Sequence, residues 1–227
     1  MARVVTTMAS RTVVTSRDLR VLQFAVEMFG VPMTVAAELI ARDPDSATLS
    51  ARNAETVARR TAARLEAGRW ARRLTVAGQV WLVPTGPGLE LAKAEGQEQA
   101  YDVWHPVGWK LEHVAAAARL RLALEDRYPD AVWISERETR RRWHGTGARV
   151  RKCDGGLRWP DGTATGVEVE LHVKGLHLYE GIVADRDPEW AAIWWFTPAV
   201  HVDLLTRRLE AAGAYGHSVH VLPGVAS

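Results

Sequence analysis

The sequence predicts a mixed α/β (α+β) chain in two parts: a helical N-terminal third closed by a β-hairpin, then a longer part in which strands and helices alternate. Three observations carry this expectation. Apolar residues recur at helical spacing between Ser16 and Ala67, two β-prone runs flank Ala77-Gly78, and strand-like runs alternate with helical ones from Ala131 to Leu222. At 227 residues, 47% of them hydrophobic, the chain can bury one large core or two smaller ones.

Residues 1–15 read as a flexible N-terminus. Ser16 is the expected N-cap of a first helix, with Leu19, Leu22, Val26 and Phe29 on its buried face and Gly30 as its stop. Thr34 is the expected cap of a short helix that turns Leu39 and Ile40 inward. Asp43-Pro44-Asp45 reads as a turn, and Ser46 as the start of a longer helix that reaches Ala67 and closes at Gly68. Arg72–Val76 and Gln79–Val83 then form a hairpin around Ala77-Gly78. Helix, short helix, long basic helix and hairpin is the order of a winged helix-turn-helix, assigned to residues 16–88. Thr85-Gly86-Pro87-Gly88 is expected to end that unit, and a linking helix from Leu89 to about Ala100 to occupy residues 89–103.

The remainder, 104–227, opens on Trp104-His105-Pro106 and a helix from Lys110 to Arg127, rich in Ala, Leu and Arg and free of Gly and Pro. Pro129-Asp130 breaks it. A strand over Ala131–Ile134 follows, then a turn of helix capped by Ser135 and a loop from His144 to Lys152. Strands are expected at Gly155–Trp159 and Gly166–Val173 around the Pro160-Asp161-Gly162 turn, and at Ile193–Phe196. Helices are expected at Tyr179–Asp185 and Val200–Ala212, and an edge strand at Val219–Leu222. Eight of the ten tryptophans follow residue 100, and aromatic bulk at this density reads as packing material.

Composition narrows the function classes. The single cysteine, Cys153, leaves no internal disulfide and no thiolate-cluster zinc site, which fits a reducing cytoplasmic setting. No stretch approaches the roughly 20 apolar residues of a membrane span, and no phosphate loop, dinucleotide fingerprint, HExxH or GxSxG motif occurs. No membrane partner and no small-molecule cofactor are therefore expected. His172 and His177 lack the spacing of a zinc site, and His105, His113 and His144 stand alone.

Net charge is only +2, but its distribution is uneven: between Ser46 and Arg73 seven arginines face two glutamates. Such a stripe suits phosphate contact, or a solvated helix face whose arginine stems cover a core. In the first reading the Ser46–Ala67 helix enters the major groove of double-stranded DNA. Ala54, Val57, Ala58 and Leu65 form its apolar side, which turns Arg52, Arg59 and Arg60 outward and leaves Asn53 and Arg64 on the flank. Asn53 is a residue type that pairs bidentately with adenine, and Arg69, Arg72 and Arg73 stand where the wing begins. Paired half-sites would make the protein a homodimer. A winged helix also serves as a protein-interaction module.

The second part holds a chemical-looking constellation: Cys153-Asp154-Gly155-Gly156, then Gly166–Lys174. In a strand, Glu168, Glu170, His172 and Lys174 share one face, with Val167, Val169, Leu171 and Val173 on the other. With Asp154 these supply the oxygen ligands and lysine of a Mg²⁺ site; a half-buried strand with a polar outer face gives the same alternation.

The order of basic winged helix, LEHVAAAARLRLAL, WISERE, DGG with VEVELHVK, and IWWFTPAV resembles the replication-relaxation family of actinobacterial plasmids and mobile elements, over roughly Ser16 to Ala212. The resemblance implies a winged helix followed by a restriction-endonuclease-like α/β domain related to the PD-(D/E)xK core. It implies Asp154 as the first acidic residue, Glu168 as the second, and Glu136 as a helix-borne carboxylate. This chain departs from the pattern: Cys153 replaces the proline, and Glu170 or His172 occupies the lysine position, with Lys174 displaced. The expectation is a DNA-binding accessory or regulatory protein with a non-catalytic nuclease-like domain. The alternatives are a Mg²⁺-dependent endonuclease using Asp154, Glu168, Glu170 and Lys174, with the metal on Asp154 and Glu168, and a protein-interaction module.

Overall fold

The structure, a computed structural model, describes residues 13–43, 49–97, 101–103, 108–142, 152–185 and 188–224. Ser46, the Pro44-Asp45 part of the expected turn, the end of the expected linking helix at Ala100, Trp104-His105-Pro106 and the loop from His144 through Arg151 lie outside the described residues. The chain is mixed α/β with two sheets and divides into two units between Ala118 and Arg119.

In the first unit α1 (Ser16–Glu27) is capped by Thr15, one residue before the expected Ser16. Thr15 and Asp18 form a reciprocal capping box: Asp18 N–H donates to Thr15 Oγ1 (3.2 Å) and Thr15 N–H donates to Asp18 Oδ2 (3.0 Å). Val21, Leu22, Phe24, Ala25 and Val26 bury the inner face. A two-residue strand, β1 (Val31–Pro32), leads into α2 (Met33–Ala41), whose N-cap is Pro32 in place of the expected Thr34. The basic helix α3 spans Ala51–Ala67.

The expected hairpin is present as β2 (Ala71–Val76) and β3 (Gln79–Pro84), in register from Ala71↔Pro84 to Val76↔Gln79. Its two-residue turn has positive φ at both Ala77 (50°) and Gly78 (76°), the mirror-image geometry that matches strand twist. β1 pairs antiparallel with β3 and gives the order β1-β3-β2. The Thr85–Gly88 segment, expected as a terminator, starts a helix: Thr85 caps α4 (Gly86–Ala94) by accepting from Gly88 N–H (3.3 Å), and Pro87 occupies the first turn. The first half of α5 (Gly108–Arg127) places Leu111, Val114 and Ala115 on Trp81 and Val83.

The second unit is a five-stranded sheet, β4 (Val132–Ser135), β5 (Gly155–Arg158), β6 (Ala164–Val169), β7 (Ala192–Thr197) and β8 (His217–Val221), ordered β4-β5-β6-β7-β8. β4–β5 and β5–β6 are antiparallel; β6–β7 and β7–β8 are parallel. Parallel neighbours need crossovers, supplied by α7 (Leu176–Ala184) and α8 (Val202–Ala211). Ser135 caps α6 (Glu136–Arg142) as expected, accepting from Glu138 N–H (3.1 Å). One core joins Ile193, Trp195 and Ile134 of the sheet to Tyr179, Ile182, Leu205 and Leu209 of α7 and α8.

Glycines seat two of the tryptophans. A Cβ on Gly155 would lie 2.1 Å from the Trp133 ring, and Cβ atoms on Gly156 and Gly166 would lie 2.6 and 3.0 Å from the Trp190 ring. The Asp-Gly-Gly run is thus in part a packing device. In the first unit, a Cβ on Gly88 would lie 1.8 Å from the Trp70 carbonyl oxygen, whereas one on Gly86 meets nothing within 4 Å. Gly88→Ala is expected to destabilise by about 1–3 kcal/mol or more, because backbone must move. Gly86→Ala should stabilise by about 0.4–1 kcal/mol through the unfolded chain. Thermal unfolding of the two variants checks the contrast.

Candidate functional site

Two places carry functional side chains, one in each unit. In the first, Ser50 caps α3 by accepting from Asn53 N–H (3.3 Å), so the helix begins four residues later than Ser46 would have started it. Ala54, Ala58, Thr61, Ala62 and Leu65 form its buried stripe, with Val57 half-buried beside it. Arg52, Asn53, Glu55, Thr56, Arg59 and Arg60 are exposed. The expected outward placing of Arg52, Arg59 and Arg60 is therefore observed, and Asn53 joins them.

The eight polar residues assigned to the interface separate by partner. Arg59 Nη2 donates to Glu55 Oε2 one turn earlier (3.1 Å), an exposed pair of small energetic weight. Arg73 is held by Glu66 through its Nε (2.6 Å) and backbone N–H (2.8 Å), which ties β2 to the end of α3. Arg52, Arg60, Arg69 and Arg72 make no ion pair with any of the described residues. Arg64 is corrected: its Nε and Nη2 donate to Asp18 Oδ2 and Oδ1 (2.9 and 2.6 Å), and Nη2 also reaches Thr61 Oγ1 (3.2 Å). It is first a structural clamp between α3 and α1.

Burial pushes the Asp18 carboxyl up, but the Arg64 guanidinium and the two Thr15 bonds outweigh it and hold the group below its ordinary 3.8. Asp18 is 1% exposed.

Gly68, expected to close α3, is not the left-handed residue. Arg69 is (φ 59°), with its N–H bonded to Glu66 O and Trp70 N–H to Leu65 O, a Schellman closure built on a non-glycine residue. Gly68 is required for another reason: a Cβ there would lie 2.2 Å from the Trp70 ring.

In the second unit the expected Gly166–Val173 strand stops at Val169, and this corrects the single-face alignment of Glu168, Glu170, His172 and Lys174. Both faces of β6 are covered, so Glu168 (3% exposed) and Glu170 (4%) are buried and not part of a solvated face. Glu170 still holds β7, donating its N–H to Phe196 O (2.9 Å) and accepting at its carbonyl from Thr197 Oγ1 (2.7 Å). Beyond it the chain bends at Leu171-His172, leaves His172 exposed, and turns so that Lys174 N–H donates to the buried Tyr179 hydroxyl (3.0 Å). That turn returns the Lys174 ammonium to the Glu170 carboxylate, with which it is paired. The Gly155↔Val167 register sets Asp154 opposite Glu168, and Asp154 Oδ2 accepts from Val169 N–H (2.8 Å). Glu136 sits on α6 and is paired with Arg140.

The acidic residues thus gather at the C-terminal end of β6, but Glu170 is neutralised by Lys174 and Asp154 is bonded to the strand backbone. Among the described residues no three His, Cys, Asp or Glu side chains group to hold a metal ion. None of the helices in the described residues is long and apolar enough to cross a membrane. No protein-family model, curated protein or solved structure matches the chain.

Removing either side of the Asp18–Arg64 clamp should have unequal effects. Arg64→Ala leaves a buried carboxylate and is expected to cost about 3–5 kcal/mol. Asp18→Asn leaves a guanidinium that is 37% exposed and solvated, and should cost less, about 2–3 kcal/mol. The wild-type contribution of Asp18 is full above its ordinary value of 3.8 and fades as pH falls through the lower folded value. In Arg64→Ala burial alone acts on the carboxyl, so acidification should relieve part of the loss. Urea unfolding between pH 3 and 7 measures both.

Proposed function

We propose that the protein binds double-stranded DNA through the exposed face of α3 and the β2–β3 wing, as an accessory or regulatory protein of a plasmid, phage or integrative element. The observation that carries this reading is the set of exposed arginines, Arg52, Arg60, Arg69 and Arg72, that no carboxylate among the described residues neutralises, beside an exposed Asn53. Cations left unpaired on one helix and the adjoining hairpin are what phosphates on either side of a groove require. Three helices followed by a hairpin, with β1 as a third strand, support the winged-helix reading. The sequence resemblance to the replication-relaxation family supports the setting. Two-fold pairing of the chain on half-sites belongs to the same reading.

Four phosphate contacts would give a log K against log salt slope of about −3.6, and roughly a hundredfold loss between 50 and 200 mM salt. Arg52→Ala with Arg60→Ala should flatten that slope by about two. Fluorescence anisotropy with a labelled duplex, in a salt series, makes the measurement. Absence of binding at low salt would leave the interaction-module reading in its place.

The second unit is read as a nuclease-like scaffold that does not cut. An endonuclease remains the second reading, favoured by one observation: Asp154, Glu168, Glu170 and Lys174 all come to the C-terminal ends of parallel strands β6 and β7, where α/β sheets carry their sites. The residues do not fit Mg²⁺ as they stand, because Lys174 already neutralises Glu170 and no three ligands converge among the described residues. Supercoiled plasmid incubated with Mg²⁺ or Mn²⁺ is expected to stay intact. Nicking that disappears in Asp154→Ala would establish the enzyme instead.

A further inference from the structure

A cleft of about 460 Å³ opens between the start of α1, the end of α2 and α3, lined by Val13, Thr15, Ser16, Arg17, Asp43 and Arg64. Its charges do not cancel. Asp18 is consumed by Arg64, and Asp43 is shared at longer range by Arg17 (Nε–Oδ2 3.6 Å) and Arg20 (Nη1–Oδ1 3.4 Å). Three guanidinium groups against two carboxylates leave one positive charge.

The donors are suited to an anion. Arg64 uses its Nε and both Nη2 hydrogens on Asp18 and Thr61, which leaves the two Nη1 hydrogens on a group already locked in place. Arg17 and Arg20 keep 31% and 40% of their side chains exposed around an Asp43 carboxylate that is largely covered. A guanidinium fork fits phosphate oxygens, and a fork fixed beforehand by a buried carboxylate loses little freedom on binding.

The position is as informative as the charge. Asn53, Arg60 and Arg64 are spaced by seven and four residues, so they follow one edge of α3. Arg59 and Glu66 mark the other edge, which leads through the Glu66–Arg73 pair to the hairpin. The exposed face of α3 is therefore flanked by the wing on one side and by this cleft on the other.

We infer that the cleft binds one backbone phosphodiester of the DNA strand flanking α3, a contact that rests on the DNA-binding reading and adds a grip to it. The single surplus charge matches the one negative charge of an internal phosphodiester. A free or terminal phosphate carries about −1.5 to −2 at neutral pH, and the Asp43 carboxylate in the wall would oppose it.

The test is the triple variant Arg17→Gln, Arg20→Gln, Asp43→Asn, which removes the surplus charge without orphaning a carboxylate. Its thermal unfolding is measured alongside. Duplex affinity should fall about five- to tenfold for any sequence, and the salt slope should flatten by about one. The charge-keeping pair Arg17→Lys with Arg20→Lys should retain most of the slope. Inorganic phosphate at 10 mM and constant ionic strength should not compete for the cleft. Unchanged affinity and slope in the triple variant, alongside the loss expected for Arg52→Ala with Arg60→Ala, overturns the cleft and leaves the α3 reading standing. Competition by inorganic phosphate that the triple variant abolishes identifies a free-anion site and overturns the strand assignment. A wild-type protein that binds no duplex at low salt overturns both.

Discussion

A carboxylate with almost no access to water, Asp18, organises the first unit, and the chemistry of that burial explains several features at once. Its two oxygens accept from Arg64 and from the Thr15 backbone, while its own N–H is bonded to the Thr15 hydroxyl. An ionised group in that place is tolerable only because its acceptor capacity is used. The same bonds end α1 cleanly, lock one edge of α3 against it, and set which α3 arginines are structural and which face outward. Were Arg64 solvated, α3 would lack its polar tie to α1, and the cleft beside it would lose its fixed wall.

Close approach plays the matching role at the helix ends and in the second sheet. Trp70 lies against Gly68 and its carbonyl against Gly88; Trp133 lies on Gly155, and Trp190 on Gly156 and Gly166. Each ring fills the space that a Cβ would occupy, so the glycines concern packing more than backbone freedom. This changes the meaning of the Asp154-Gly155-Gly156 run. Its glycines hold the β4–β5–β6 edge at the right distance from two indoles, and Asp154 secures the end of β6 through Val169 N–H. Glu170 likewise has a structural share, since its backbone bridges to β7 and its carboxylate pairs with Lys174. An arrangement resembling a catalytic one is used, bond by bond, to finish a sheet.

Much of the secondary structure was legible. The hairpin came from Ala77-Gly78 between β-prone runs, and α5 from an uninterrupted Ala/Leu/Arg stretch. α3 came from the spacing of Ala54, Ala58 and Leu65, which also placed Arg52, Arg59 and Arg60 outward. The errors have local causes. Thr15 displaced Ser16 as cap because only Thr15 stands three residues before Asp18. Arg69 displaced Gly68 as the left-handed residue because a tryptophan ring occupied the space beside Gly68. β6 stopped at Val169 because the turn to α7 anchors on the Tyr179 hydroxyl, a partner that alternation along a strand gives no sign of.

By itself the sequence determined the mixed α/β class, the order of elements, the basic helix with its hairpin, and the presence of acidic residues around β6. These follow from periodicity and turn chemistry, which act between neighbours a few positions apart. Only the tertiary structure decided which charges are partnered. Asp18 and Arg64 are 46 residues apart, and nothing local distinguishes Arg64 from Arg60, four positions before it. The difference is made by α1 lying against one edge of α3, because the worth of a charge depends on what the rest of the fold brings to it and how much water it leaves.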